Sequence, residues 1–340
     1  MKALALAAGS ALIGLLAVTA DQRLAFEPAA GSSLSKSFET TLEFELDKLV
    51  ITLDGEDDYE WLQDRLTAMA STELSANIHV VDTYTEVGGG RPLHLVRSFE
   101  ALTYSMTSAG LLSWSQHDAT LEGVDLTFTW DPKSEAYELT ADIESLDLDD
   151  ITHRGEDMDF RALLPAGPVE PGDDWELSGT GVVSVLWPGL DLTQAKAKFA
   201  RTMAKSYAPM DMDELFDELI EQTELRLTCA KEKQVEGRLC QVILMRAALD
   251  YELNISDQLL ALVPAGLLRD DVAAKLEFQA QLTGELLWDL AGGHFRDCRM
   301  DVDYVLTCSI DGSLSLQSED QALRMDLEAS GVLRRHAQAE

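Results

Sequence analysis

Basic residues are scarce in this chain of 340 amino acids. Only 26 lysines and arginines stand against 61 aspartates and glutamates, which gives a net charge of −35 at pH 7. A surface this negative repels nucleic acids and anionic lipid headgroups. The composition therefore argues against nucleic-acid binding, and it is typical of a well-solvated surface that holds cations loosely.

Long apolar runs are absent after the first twenty residues. The N-terminus carries Lys2, an uncharged stretch rich in Ala and Leu over residues 3–18, and small residues at Val18 and Ala20 before Asp21, as in a cleaved export signal. This run is shorter than the ~20 residues of a membrane helix. We predict a signal peptide over 1–20, a periplasmic or extracellular mature chain, and no transmembrane segment after signal removal. An uncleaved signal anchor is the alternative.

Catalytic signatures are missing as well. The sequence has no Gly-x-Ser-x-Gly elbow, no His-Glu-x-x-His helix, no phosphate-binding loop and no dinucleotide fingerprint. Its six histidines are scattered, and the one pair that a hairpin brings near each other, His79 and His94, is interpreted as a surface pair. We assign no catalytic residue, cofactor or metal ligand, and an enzyme is the less favoured interpretation.

An acidic run between residues 142 and 159 is the remaining candidate for metal binding. Calcium takes six to eight oxygen ligands, and this run contains eight carboxylates. It lacks the residue order of an EF-hand loop, and its alternating positions fit the outer face of a strand. We interpret the run as solvated and leave calcium binding open.

Cysteines are few, and their spacing limits how they can pair. Cys229 and Cys240 flank a predicted turn at 231–237, and an oxidising compartment favours a disulfide between them. Cys298 and Cys308 share one strand face about 33 Å apart at ~3.3 Å per residue, which is too far for a bond. We predict a Cys229–Cys240 disulfide and two buried thiols. A zinc site lacks the usual spacing.

What the sequence does contain is a long alternation of apolar and polar residues over 272–311. The even positions are apolar, and the odd positions between them are polar. A period of two over this length predicts long strands with one face turned away from water. If that face encloses a cavity, its hydrophobic ligand would contact a set of even-numbered residues: Phe278, Leu282, Met300, Val302 and Tyr304.

Similar patterns elsewhere predict a mainly β fold with a few helices. Strands are expected over 38–53, 72–87, 91–105, 120–130 and 136–143, with glycines 88–90 closing one hairpin and residues 131–135 another. Helical spacing predicts short helices near 58–70, 193–206 and 211–222. The C-terminal strands form a meander, with a three-residue loop at Asp311–Ser313 that would pair Ile310 with Leu314.

The predicted organisation is a signal peptide followed by three parts. These are a β-rich domain over 21–187, a helical connector over 188–222 and an antiparallel meander over 223–334. Long curved antiparallel sheets are expected, and two related half-barrel-like halves remain an open alternative. The motif Trp-Asp-x5-aromatic occurs in both, at Trp130 with Tyr137 and at Trp288 with Phe295. Any alternating strands can produce such a match.

Two short segments add information. The tripeptide Asn254-Ile255-Ser256 matches the N-glycosylation sequon. The segment Leu163–Trp175 has the pattern LLP-x2-PV-x2-GD-x-W, which resembles uncharacterised secreted bacterial proteins rich in β-structure. That resemblance implies a secreted β-rich protein and no activity.

Three functions remain open. An exported, non-catalytic protein of the cell envelope or exterior accounts best for the signal, the strands and the missing motifs. A carrier of a lipid-like hydrophobic small molecule in a half-barrel cavity is the alternative. A hydrolase whose residues meet only in space is the third. The sequence names no partner.

Overall fold

The computed structural model describes residues 24–55, 71–108, 112–117, 121–142, 154–186, 188–189, 223–256, 259–260, 268, 271–316 and 319–340. The predicted signal peptide and the predicted helices near 58–70, 193–206 and 211–222 lie outside these ranges. So does most of the acidic run.

The fold is mainly β, as the alternating patterns predict. The strands are β1 (Ser32–Leu53), β2 (Thr72–Gly88), β3 (Arg91–Ser108), β4 (Leu112–His117), β5 (Asp125–Asp131), β6 (Ala136–Ala141), β7 (Asp174–Ser178), β8 (Glu224–Cys229), β9 (Lys233–Val235), β10 (Arg238–Asn254), β11 (Ala273–Asp289), β12 (His294–Leu316) and β13 (Glu319–Ala339). The described part also contains a 3-10 turn (Arg161–Leu163) and a short helix, α1 (Thr180–Leu186).

All of these strands belong to one antiparallel sheet. Its order is β6-β5-β3-β2-β1-β13-β12-β11-β10-β8-β7, with β4 beside β3 and β9 beside β10. The sheet is open, and β6 and β7 are its two ends. Strands of the predicted N-terminal domain and of the predicted meander meet at β1 and β13, whose register pairs Phe38 with Ala337 and Leu42 with Leu333.

The alternation over 272–311 is confirmed. Even-numbered residues of β11 and β12 pair with each other, as in Leu282 with Val302 and Leu286 with Cys298. Leu282, Leu286 and Cys298 are buried, whereas Thr283, between the two leucines, is exposed. One face of this hairpin therefore packs on the core, and the other meets water.

The predicted turn at Asp311–Ser313 is wrong. Strand β12 continues to Leu316, and Ile310 pairs with Met325 rather than with Leu314. The apolar residues of β13 occupy odd positions, such as Leu327 and Leu333. Even core positions of β12 must therefore pair with odd positions of β13, and a register that pairs Leu316 with Glu319 meets this condition.

The two predicted N-terminal hairpins are confirmed. Gly89 and Gly90 join β2 to β3 with φ values of 62° and 74°, a backbone region that glycine adopts without strain. In the second hairpin, Asp131 accepts hydrogen bonds from the backbone N–H of Lys133 and the hydroxyl of Ser134. The side chain of Asp131 thereby stabilises the turn.

Segments outside the sheet complete the core on its inner face. Phe160 lies 6.1 Å from Phe38 and 5.0 Å from Phe295, measured between ring centroids. From the N-terminal side, Phe26 packs edge-on against Tyr84 at 5.5 Å. Strands from both ends of the chain thus share one buried cluster with these segments.

Residues 154–173, between β6 and β7, form a crossing segment that packs on this core and contains most of the stretch Leu163–Trp175. Leu163 is fully buried, and its carbonyl accepts a hydrogen bond of 3.2 Å from the indole N–H of Trp175. Gly172 has a φ of 105°, and the backbone N–H of Asp173 donates to the carbonyl of Glu170. The prolines and this turn hold an extended crossing that leads into β7.

Within the described ranges, no helix is both long enough and apolar enough to cross a bilayer.

Candidate functional site

The five residues predicted to contact a hydrophobic ligand all lie on the core face of β11 and β12. Leu282, Met300 and Val302 are buried and belong to the main core cluster. Phe278 and Tyr304 are half-buried, with ring centroids 6.0 Å apart. The five therefore share one face of the sheet, and three of them are covered by the protein's own side chains.

A groove of about 980 Å³ crosses the middle of the sheet. Three consecutive residues from each of five strands line it, and Ser71–Glu73 and Thr107 complete the lining. The five triplets are Glu43–Glu45, Ala248–Asp250, Gln279–Gln281, Asp303–Val305 and Ser330–Val332. Of the predicted contact residues, Tyr304 alone belongs to this lining.

The groove lies on the solvent face of the sheet. In β11, the middle residue of the triplet is Ala280, which is 4% exposed, whereas Gln279 and Gln281 are exposed. In β12, Asp303 and Val305 are likewise exposed. Because side chains alternate between faces, we place the flanking side chains on the walls of the groove and the backbone of the middle residues on its floor.

At the floor of the groove, the backbone of Gly331 lies close to groups of the two neighbouring strands. Gly331 lies between Phe44 of β1 and Tyr304 of β12 in the register. The Tyr304 hydroxyl donates a hydrogen bond of 3.0 Å to the carbonyl of Glu43. This bond joins β12 to β1 across β13, at the position of Gly331. A Cβ on Gly331 would overlap both that carbonyl and the tyrosine hydroxyl.

The groove is acidic. Its lining contains five carboxylates and no lysine or arginine, the carboxylates being Glu43, Glu45, Glu73, Asp250 and Asp303. Arg334 forms an ion pair with Glu43, and Gln279 donates a hydrogen bond of 3.3 Å to Asp250. Amide and hydroxyl groups supply the rest of its polar surface. A groove of one charge sign attracts ions of the opposite sign.

A second cluster of charged side chains is sealed inside the core. Lys36 contacts Asp82 and Asp159, each at 2.6 Å, and the Arg97 guanidinium grips Asp82 through two hydrogen bonds of 2.7 and 2.8 Å. The Tyr84 hydroxyl bridges Lys36 and Asp159. All five side chains are almost completely buried.

The charges in this buried cluster cancel, since two cations face two carboxylates. Burial alone would raise the pKa of Asp82, but Arg97 and Lys36 outweigh it and lower that pKa to about 2. Burial and the neighbouring Asp159 raise the pKa of Tyr84 well above its usual range. The cluster is a structural junction between β1, β2, β3 and the crossing segment, since a substrate has no access to it.

The acidic run proves to be partly structural rather than solvated. Its last three carboxylates lie in the described part, and Arg161 pairs with Glu156 and with Asp157, while Asp159 is buried against Lys36. This corrects the interpretation of residues 156–159 as a solvated face. Sequence reasoning missed the cluster, although Lys36, between the apolar Leu34 and Phe38, stood at a core position.

The predicted Cys229–Cys240 disulfide is absent, and all four cysteines are free thiols. Cys229 pairs with Ile243 across β8 and β10, so its side chain shares the face of Ile243. Cys240 lies three residues before Ile243 in β10, and this odd number places its side chain on the other face. It packs there with Val242 and Leu287 in a separate cluster. The two thiols therefore point to opposite faces of the sheet.

The other candidate groups do not assemble into a site. His79 pairs with Ala101, whereas His94 pairs with Glu86, so the two histidines are not opposite each other. Burial raises the pKa of the Cys298 thiol to about 12, which keeps it protonated and unreactive. Across the described residues, no group of three or more histidines, cysteines or carboxylates is arranged to hold a metal.

Comparison with known proteins adds no family. No family model matches the chain, and no curated protein matches it. Among solved structures, one similarity is to the high-pH structure of Pseudomonas putida OprB, at 7% identity and a TM-score of 0.14, covering 88% of this chain and 93% of that one. A similarity at this level carries no argument about fold or function.

Proposed function

We propose that this chain is an exported, non-catalytic binding protein of the cell envelope or exterior, and that the groove is its binding surface. The observation that carries the proposal is the lining of the groove, with five carboxylates and no basic residue across seven strands. The preferred ligand is an elongated molecule with several positive charges, and a basic peptide segment has this chemistry.

The length of the groove favours an extended ligand. From Thr107 on β3 to Ala248 on β10, six strand-to-strand spacings separate the ends of the lining. At ~4.8 Å each, they amount to roughly 29 Å along the sheet. A peptide of about nine residues in extended conformation covers that distance at ~3.3 Å per residue.

The chemistry of the described side chains supports binding rather than catalysis. The strongly shifted carboxylate, Asp82, is sealed in the core with its partners. Catalytic acids and bases are commonly shifted groups inside an accessible cleft. The acids of the groove instead lie on an open sheet face, where they supply attraction and hydrogen bonds.

The hydrophobic-carrier alternative receives less support from the geometry. A carrier needs an apolar wall left open to its ligand. Leu282, Met300 and Val302 would form that wall, and they are buried within the core cluster. Lipid binding in the experiment below would therefore argue against the proposed groove and for a carrier.

A binding measurement with matched peptides tests the groove. We expect a labelled lysine-rich nonapeptide to bind with an affinity that falls as salt increases, because exposed charges are screened, and the glutamate-rich counterpart not to bind. The double variant Asp250→Lys and Asp303→Lys should weaken binding about tenfold, as expected for two surface charge reversals.

The control is Asp311→Lys, since Asp311 is an exposed residue on the same face of β12 outside the groove. An equal loss with this control, or no binding of the basic peptide, contradicts the proposed site. Saturable binding of a fluorescent fatty acid with no peptide binding would support the carrier instead.

Export is tested separately from binding. We expect N-terminal sequencing of the protein from its own host to begin at Asp21 and the protein to occur outside the cytoplasm. In support, Leu24 and Phe26 are buried directly after the predicted cleavage site, so the chain is structured almost from its mature start. An intact N-terminus in a cytoplasmic fraction would contradict export.

A further inference from the structure

The sequon lies at an accessible end of the sheet. Asn254 is the last residue of β10 and is exposed. The backbone N–H of Ile255 donates to the carbonyl of Ala274 at 2.9 Å, which holds the sequon against β11. The acceptor position therefore has a defined backbone and an open side-chain environment.

Ser256 fixes the orientation of the Asn254 amide. Its backbone N–H and its hydroxyl both donate to Asn254 Oδ1, at 3.0 and 2.6 Å. A backbone N–H can only donate, so the atom that it meets must be the amide oxygen. Both hydrogen bonds from Ser256 therefore go to Oδ1 rather than Nδ2, and the Asn254 side chain is exposed.

The Ser256 hydroxyl is itself held in place. It accepts a hydrogen bond of 2.9 Å from the backbone N–H of Ala274, so it presents its proton to Asn254. Two hydrogen bonds at the amide oxygen draw electron density from the amide and make the Nδ2 protons more acidic. This arrangement prepares Nδ2 to lose a proton when it attacks an electrophilic carbon.

We propose that Asn254 is the acceptor of an N-linked glycan, added on the export route from a polyprenyl-diphosphate-linked oligosaccharide. The inference rests on the export part of the proposed function and is independent of the groove. Nδ2 forms a bond to C1 of the sugar, the C1–O bond to the diphosphate breaks, the polyprenyl diphosphate leaves, and a base of the transferase takes the Nδ2 proton.

The glycan would stand on the solvent face, beside the groove. Asn254 shares its side of β10 with Asp250 and follows it by four residues, about 13 Å at ~3.3 Å per residue. Neighbouring Glu252 and Lys275 form an exposed ion pair of 2.8 Å. The surroundings are polar, as a hydrated glycan requires.

The experiment is to secrete the full-length chain through a cell with an oligosaccharyltransferase and to measure intact mass before and after a glycan-removing amidase. We expect one glycoform. After the glycan is removed, residue 254 should be about 1 Da heavier than in the unmodified chain, because the amidase converts Asn to Asp. Asn254→Gln and Ser256→Ala should abolish the modification, and Ser256→Thr should retain it.

The matched control is Asn77→Gln, because Asn77 is the other asparagine of the chain and is followed by Ile78 and His79 rather than by a sequon. It should leave the glycoform unchanged. An unmodified wild type, in cells that glycosylate a co-expressed acceptor protein, would overturn the proposal. A glycan that persists in Asn254→Gln would overturn it as well. Peptide binding is measured on unglycosylated protein, so failure of one proposal does not imply failure of the other.

Discussion

Arg97 and Asp82 form a two-pronged ion pair inside the core, with the guanidinium Nε and Nη2 donating to the two carboxylate oxygens at 2.7 and 2.8 Å. Two of the three remaining N–H groups of Arg97 donate to the carbonyls of Gly155 and Glu156 in the crossing segment. One buried side chain therefore joins β2 and β3 to the segment that fills the sheet. We therefore expect this pair to contribute to the stability of the core.

Replacing Asp82 with asparagine should be strongly destabilising. The change leaves Arg97 and Lys36 buried with one carboxylate fewer, and breaking a buried pair costs about 3–5 kcal/mol. Denaturant unfolding measures this loss. The control is Asp174→Asn, which breaks the exposed pair with Arg226 and should leave the unfolding midpoint unchanged. Equal effects of the two variants would contradict a structural role for the buried pair.

The same carboxylate predicts how stability depends on pH. The pKa of Asp82 is lowered from 3.8 to about 2 in the folded protein. A lowered carboxylate pKa stabilises the fold above the unfolded pKa, and this contribution is lost as pH falls through the folded pKa. We therefore expect the urea midpoint to fall between about pH 4 and pH 2.

The comparison with Asp82→Asn isolates this contribution. The variant should show a smaller fall over the same interval, since it has no carboxyl group to protonate at this position. Glu156 acts in the opposite direction, because burial raises its pKa. A wild-type curve with no greater acid sensitivity than that of the variant would contradict the assignment.

Gly331 should not accept a side chain. Because a Cβ there would overlap the carbonyl of Glu43 and the hydroxyl of Tyr304, we expect Gly331→Ala to destabilise the protein by about 1–3 kcal/mol, as overpacking does. Tyr304→Phe removes only the hydrogen bond and should cost about 1 kcal/mol. Gly167→Ala is the control, since a Cβ at Gly167 meets nothing within 4 Å. A tolerated alanine at 331 would argue against the close approach.

The cysteines give a test that needs no variant. All four thiols are free, so alkylation of the protein, unfolded without reductant, should add four alkyl groups. The folded protein should react slowly at Cys298, because burial raises the pKa of this thiol to about 12. If only two alkyl groups are added without reductant and four are added with it, the protein contains a disulfide, as the sequence predicted.

Local patterns predicted much of the sheet. The alternation in β11 and β12 identified their core face because side chains of a strand point to opposite sides at every step. The glycines at 89 and 90 and the aspartate at 131 identified two turns because turn conformations restrict the residues that can occupy them. Both Trp-Asp hairpins have the same register, with Trp130 opposite Tyr137 and Trp288 opposite Phe295.

Residue spacing gave wrong predictions where the result depended on which faces of neighbouring strands lie side by side. Cys229 and Cys240 flank a turn, yet the register of β8 against β10 places them on opposite sides of the sheet. The end of β12 was misplaced for a related reason, since the register of this strand depends on the odd-numbered core residues of β13. In each case a shift of one residue reverses every side chain, and only the neighbouring strand fixes that shift.

The sequence by itself determined the excess of negative charge and the two-sided strands, because composition and alternation can be read from the residues directly. Only the tertiary structure decided that Lys36, Asp82, Arg97 and Asp159 meet in the core, since they come from strands and a crossing segment that are far apart in the chain. It also decided that carboxylates of β1, β2, β10 and β12 line one groove. The physical reason is that strand order and register set which distant residues share a face.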